Sequence, residues 1–435
     1  DVQVKHILID TAAIDLQVDA QGVGNWTKLI KQKPADTSAA SSAPTDTKAK
    51  ELKLAIEKIS LQHSQVSYSD LAKGSRFLLK DIELEMDGVN LDGDPFTMAF
   101  SSEAQISSAD VKAPPLIIKT KLGQKITLDK ELSEVKLSEG DLVLVISKNA
   151  SATLKLKYAV KLGNLKNNLA YQGEFASDNF SARELLAVFG SAPKMANDKA
   201  LTDIKVTANI NGDKTSASLK DLDLKLDKTS LKGTLAITNF STSALEASLQ
   251  GDEINVDDYL APKVGENAAP AAAPASAAAV TAATGDEVLI PLELLRKLNI
   301  DLKAGFKKLQ IMDLSLADVQ LDIAANGGHL QQQLSASAYS GTIREKANVQ
   351  ANQTAQVQFE AHLQGVEIAP ILKDRKLDKS LHLSGAVQLN AQGQANGVTK
   401  NQIIASLTGG ADFAGAKVRL APLNIEQQFC KLVNL

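Results

Sequence analysis

Five histidines, at positions 6, 63, 329, 362 and 382, are the first places to look for metal-ligand or acid–base chemistry. None has a second histidine or a cysteine at ligand spacing. His6, His362 and His382 fall within alternating strand patterns, which suits a solvated or hydrogen-bonded imidazole better than a metal ligand. The stretch GDEINVDDYL (251–260) gathers Asp252, Glu253, Asp257 and Asp258. It lacks the oxygen-ligand ladder and mid-loop glycine of a helix–loop–helix calcium site, and helix capping with first-turn dipole complementarity accounts for Asp257 and Asp258. NLDGDPF (90–96) reads as a hairpin turn around Asp92–Gly93. No nucleophile elbow, phosphate loop or dinucleotide fingerprint occurs, and GVGNW (22–26) lacks the third glycine and the helix that would complete one. The 51 acidic residues are scattered, with no pair marked for glycoside hydrolysis. The expectation is a chain that is not an enzyme and carries no cofactor and no metal. Cys430 is the only cysteine, so an internal disulfide is impossible. It reads as a small buried apolar residue, or as a partner for a cysteine outside this chain.

Any site would have to be positioned by strands. LDLKLDKTSLKGTLAI (222–237) sets Leu222, Leu224 and Leu226 against Asp223, Lys225 and Asp227, then shifts its apolar parity after DKTS to Leu231, Leu235 and Ile237. Side chains alternate across a strand, so each half has one apolar and one polar face, with a turn or bulge at the slip. The pattern recurs at Ile7–Ile9, Ile14–Val18, Ile82–Met86, Leu142–Ile146, Leu154–Leu162, Ile204–Ile210, Leu314–Ile323 and Leu383–Leu389. Helical signals are short: SARELLAVFG (181–190), PLELLRKLN (291–299), and TKNQIIASLTGG (399–410) with a Thr cap and a Gly-Gly exit. They are too few to cover the apolar strand faces. Hydrophobic residues make up 44% and aromatics only 4%, so those faces are mostly aliphatic. A net charge of −4 without a Lys/Arg cluster sets nucleic acid aside as a partner. No run of 18 apolar residues is present to span a bilayer as a helix.

Two tracts of Ala, Ser, Thr and Pro, at 34–50 and 264–287, have almost no large apolar residues and read as mobile linkers, the second dispensable for folding. They divide the chain into the end of an N-terminal β module (1–33), a central β-rich region (51–263) and a C-terminal β module (288–435). FSARELL (180–186), INVDDYL (254–260) and VEIAPIL (366–372) share an outline, a strand end followed by one helical turn. Trp26 is expected to be a buried aromatic anchor packed on Leu29 and Ile30.

QGVGNWTKL (21–29) after a strand pair resembles the G-x-x-N-W-x-x-L signature of AsmA-family proteins of the Gram-negative envelope. LKLAIEKISLQHSQVSYSD (52–70) is similar to that family's next segment, a strand ending in Tyr-x-Asp. So are LDKTSLKGTLAI with LQGDEINVDDYLAP (within 226–262), the run 291–323, and SAYSGTI (337–343). The resemblance implies a fragment of a protein held by an N-terminal inner-membrane helix absent from this chain, with its body in the periplasm. It implies an elongated, curved, mainly antiparallel β architecture, related to bridge-like lipid transfer proteins, and brings no catalytic residues.

The alternating faces and this resemblance together lead to a reading. The protein is expected to be a mainly β, half-pipe or groove-like envelope-biogenesis protein that binds or conducts phospholipid acyl chains between inner and outer membrane. The other reading is a scaffold for outer-membrane protein assembly, with assembly components as partners and no direct lipid transfer. Candidate lipid-facing residues are Leu222, Leu224, Leu226, Leu314, Leu316, Leu321, Ile323, Leu383, Val387 and Leu389. Sandwich packing of the same faces is the competing structural possibility.

Overall fold

The computed structural model describes residues 2–28, 54–107, 113–191, 194–262, 288–378 and 382–420. Both linkers, Cys430, Leu29 and Ile30 therefore lie outside the described residues. The chain divides into two compact units, 1–192 with 202–214, and 193–201 with 215–435.

In the first unit, ten strands form an open sheet: β1 (Val2–Asp10), β2 (Ala13–Val18), β3 (Leu54–Asp70), β4 (Ser75–Asn90), β5 (Phe96–Ser107), β6 (Leu116–Leu128), β7 (Val135–Ser147), β8 (Ser151–Gly163), β9 (Ala170–Ser177) and β10 (Ile204–Asp213). From β3 to β10 each strand is antiparallel to the next, whereas β1 and β2 both lie parallel along β3. Helix α1 (Ala182–Val188) follows β9; Ser181 caps it by accepting from the Glu184 amide, and Gly190 follows with φ +73°.

The second unit is an open sheet of β11 (Ala217–Leu226), β12 (Thr229–Asn239), β13 (Ala244–Asn255), β14 (Asn299–Ile311), β15 (Leu314–Asn326), β16 (His329–Ala338), β17 (Gly341–Ala351), β18 (Ala355–Glu367), β19 (Leu383–Asn396) and β20 (Thr408–Leu420). All neighbours are antiparallel except β13 and β14. Helices α2 (Leu292–Lys297), α3 (Ile368–Asp374) and α4 (Lys400–Ser406) sit at strand ends. Thr399 forms a capping box with Gln402 on α4. Gly409 and Gly410, expected as the exit of that helix, are instead inside β20; the helix ends at Leu407, where the ladder to β19 takes over the backbone groups.

The protein is thus mainly β, as its alternation implies. Of the three parallel pairings, β1 with β3, β2 with β3 and β13 with β14, the last two join strands consecutive in chain order, and in both a low-complexity tract lies between them. Parallel neighbours require the chain to return to the end from which it came, a crossover of a dozen or more residues. The tracts at 34–50 and 264–287 belong to such returns. The repeated outline has a structural counterpart: each of its three copies is a strand end running into a short helix, α1, the 3-10 turn Val256–Tyr259, or α3.

Parity slips within strands are bulges built on residues with positive φ: His63 in β3, Asp81 in β4, Glu139 in β7, Asp221 in β11 and Asp318 in β15. Each bulge bends its strand and adds twist while keeping the apolar side chains on one face.

Candidate functional site

Cross-strand register shows where the apolar side chains meet. In the second unit Leu222, Gly233, Leu249, Ala304, Leu321 and Leu334 form one row across six strands. The adjacent row runs Leu219, Leu235, Ala247, Leu302 and Ile323. Phe306 lies over Gly251, where a Cβ would come within 2.5 Å of its ring, so the aromatic fills the gap the glycine leaves. In the first unit Leu61, Leu84, Phe100, Leu122, Leu142 and Leu156 make a row across β3 to β8. The opposite faces carry residues such as Lys303, Asp322, Gln333 and Lys346.

The ten candidate residues all belong to the second unit. Leu222 and Leu321 share a row, Leu224 pairs with Leu231, and Ile323 pairs with Leu302. Leu226 pairs with Thr229 at the hairpin. Val387 pairs with Val366, Leu389 with Leu363, and Leu383 with Leu420 on β20. Leu314 and Leu316 have the opposite sequence parity to Leu321 and Ile323. The bulge at Asp318 brings them to the same half-buried side as these residues. Leu222 and Val387 are buried, at 6% and 9% exposure, and the other eight are half-buried. The first-unit row was missed as a candidate, although Leu142, Leu154 and their neighbours show the same alternation.

Burial distinguishes a sealed core from an open face. Among the described residues the largest fully buried side chains are Val188, Val319, Val366 and Ser60. A β-sandwich closes on itself through fully buried Leu, Ile and Phe packed to crystal density. Here those residue types, Leu222 apart, are half-buried along the rows, as they are on a single-layer sheet.

Among the described residues, three depressions lie on the polar faces. One of about 490 Å³ in the first unit is bordered by Glu83, Glu85, Lys121 and Asp141. The second unit has one of about 440 Å³ near Lys232, Gln250 and Lys307, and one of about 590 Å³ among Gln358, Glu360, Gln392 and Gln394. Glu83 accepts from the His63 amide at 2.9 Å, and Glu85 pairs with Lys58. Among the described residues no group of three or more His, Cys, Asp or Glu is arranged to hold a metal.

The histidines are local partners. His6 lies 3.0 Å from the Ser60 hydroxyl and His362 2.9 Å from Asn390. His382 precedes β19 rather than lying within it. His63 Nδ1 is 3.0 Å from Asp10; this hydrogen bond and the charge of Glu83 raise its pKa, while Asp10 is lowered by the same bond. Trp26 is half-buried, its ring resting on Gly24, where a Cβ would meet it at 2.5 Å.

Asp257 and Asp258 lie in the first turn, as dipole complementarity implies, but Asp257 is not the cap. The 3-10 turn is capped by Asn255, which accepts from the Asp257 amide. The Asp257 carboxylate accepts instead from the amides of Met312 and Asp313, at 2.7 and 2.8 Å, in the β14–β15 turn. The amides of the β14–β15 turn outcompeted the local helix end for this carboxylate. Tyr259 donates to Asp227 at 3.0 Å, and burial followed by that carboxylate pushes its phenol well above the usual range.

No helix among the described residues is long and apolar enough to cross a membrane. Comparison with curated proteins and with solved structures returns no match. One family model matches, over residues 1–434, and with that match on almost every residue the chain belongs to the AsmA family.

Proposed function

We propose that the apolar sheet faces bind phospholipid acyl chains and that the protein is a periplasmic, non-enzymatic component of envelope biogenesis. Family membership and the open β-sheets fit an envelope-related protein. The observation that carries the reading is the set of aliphatic rows that cross strand after strand with most of their large side chains half-buried. Bringing a sixteen-carbon chain into water forfeits about 13 kcal/mol at roughly 0.8 kcal/mol per CH₂. A carrier must replace that lost contact over the length of the chain. Rows such as Leu222 to Leu334 supply aliphatic surface continuously across six strands.

The experiment is mass spectrometry of lipid retained by the gently purified protein, beside variants with Leu316 or Leu321 replaced by Asp. Wild type should carry phospholipid, and the folded variants should carry less than half as much. A folded wild type free of lipid, even after incubation with vesicles, would favour the scaffold reading.

A further inference from the structure

The apolar face of the second unit has one charged interruption. Along the rows from β14 to β19 the side chains on this face are aliphatic, aromatic or absent, apart from two neighbours, Gln332 in β16 and Glu345 in β17. Glu345 stands between Leu334 and Ala361 in its row, and Gln332 between Ile323 and Ala347 in the next. Gln332 Nε2 donates to Glu345 Oε2 at 3.1 Å. Both residues are half-buried, and among the described residues no cation is paired with Glu345.

The chemistry of the pair is one-sided. An ionised carboxylate has only acceptors, which fixes the amide with its NH₂ toward Glu345. The remaining oxygens, Glu345 Oε1 and Gln332 Oε1, are then both acceptors beside a net negative charge, and the second Gln332 N–H is the one donor left. Their complement is a cation with several N–H donors. A phosphate or a second carboxylate would be repelled, and a quaternary ammonium has no N–H to give. The aliphatic rows on both sides require the same ligand to be largely hydrocarbon.

We infer that Gln332 and Glu345 form a headgroup station for an amphiphile with a primary ammonium, its chains lying on the neighbouring aliphatic rows. The inference rests on the acyl-binding reading and adds a headgroup class to it. A lipid of the phosphatidylethanolamine type has this chemistry; its phosphate would lie away from the carboxylate, toward solvent.

The test offers the full chain vesicles with equal parts of phosphatidylethanolamine, phosphatidylcholine and phosphatidylglycerol bearing the same acyl chains. Bound lipid is re-isolated and counted by mass spectrometry. Wild type should be enriched in the ethanolamine lipid about threefold or more over each of the others. Glu345→Gln should bring the bound pool to the offered ratio, and Gln332→Leu, which keeps the charge but removes its positioning amide, should lower the enrichment. Asp322→Asn, on the polar face, should leave it unchanged. Should Glu345→Gln precipitate, Gln332→Leu decides. Lipid bound by wild type without headgroup preference, or enrichment that survives both substitutions, overturns the station alone. No lipid bound at all overturns the acyl-binding reading and the station with it.

Discussion

Single side chains at the strand ends stabilise turns that their own residue types disfavour. Met312 and Asp313 both adopt positive φ in a two-residue turn, as do Tyr339 and Ser340. That geometry matches the twist of a hairpin but is usually supplied by glycine or asparagine. Asp257 compensates the first turn through two charge-assisted hydrogen bonds. At the second, the Tyr339 hydroxyl donates to Asp374 and accepts from the Ser315 amide, at 2.7 and 2.9 Å. Asp257→Ala should therefore cost roughly 1.5–3 kcal/mol in denaturant unfolding, whereas a carboxylate that only complemented the dipole of its own 3-10 turn would cost about 0.3–1 kcal/mol. The His63–Asp10 pair gives a pH signature. His63 is raised, so its contribution is complete below the ordinary imidazole value of about 6.5 and fades as pH rises through the folded value. Asp10 is lowered, so its contribution is complete above about 3.9 and fades as pH falls through the folded value. The β1 edge should open less often at pH 5.5 than at pH 8.5, by hydrogen exchange corrected for intrinsic rate. His63→Gln should abolish the difference.

At the scale of elements, crossovers and bulges govern what the sheet tolerates. β14 has 13 residues and spans about 43 Å, a length the chain must retrace between Leu260 and α2. Deleting 264–287 outright leaves only 261–263 and 288–291 to do so, a reach of roughly 25 Å. That deletion should break the β13–β14 pairing and lower the melting temperature sharply, while a Gly/Ser tract of equal length should change it by no more than about 2 °C. Composition in this tract is dispensable and length is not. The row Leu222–Leu321 yields a paired test, because its members differ in burial. Leu222→Asp places an unpaired charge at a 6%-exposed position and should cost on the order of 3–5 kcal/mol. Leu321→Asp, half-buried on the same face, should cost about 1–2 kcal/mol because its carboxylate keeps water. Equal, large losses at both sites would mean that the face is sealed.

For the molecule as a whole, charge and aliphatic surface make different demands on a partner. The chain carries a net charge of −4, and its faces are apolar through Leu, Ile, Val and Ala rather than through aromatics. Uptake of lipid by such faces would be driven by burial of hydrocarbon, which salt does not screen. Raising sodium chloride from 0.1 to 0.5 M should change the amount of retained phospholipid by less than about twofold. A tenfold fall would instead place the interaction on the lysines of the polar faces.

Alternation by itself determined that this chain is a β protein with one-sided strands, because a period of two leaves each strand no other way to segregate Leu from Asp and Lys. It also marked α1 through its Gly190 stop and α4 through its Thr399 cap, since both are local signals. Which faces were sealed was not legible, because burial depends on whether a second layer exists, and no strand encodes that layer. Nor was the parallel return at each linker, since pairing direction belongs to two strands at once. Asp257 read as a helix cap because its true partners, the amides of Met312 and Asp313, lie more than fifty residues away. Glu345 carried no local signal, and only register set it beside Gln332 on the apolar side. Local chemistry wrote the strands, and only the sheet, by bringing distant rows into contact, decided what each face meets.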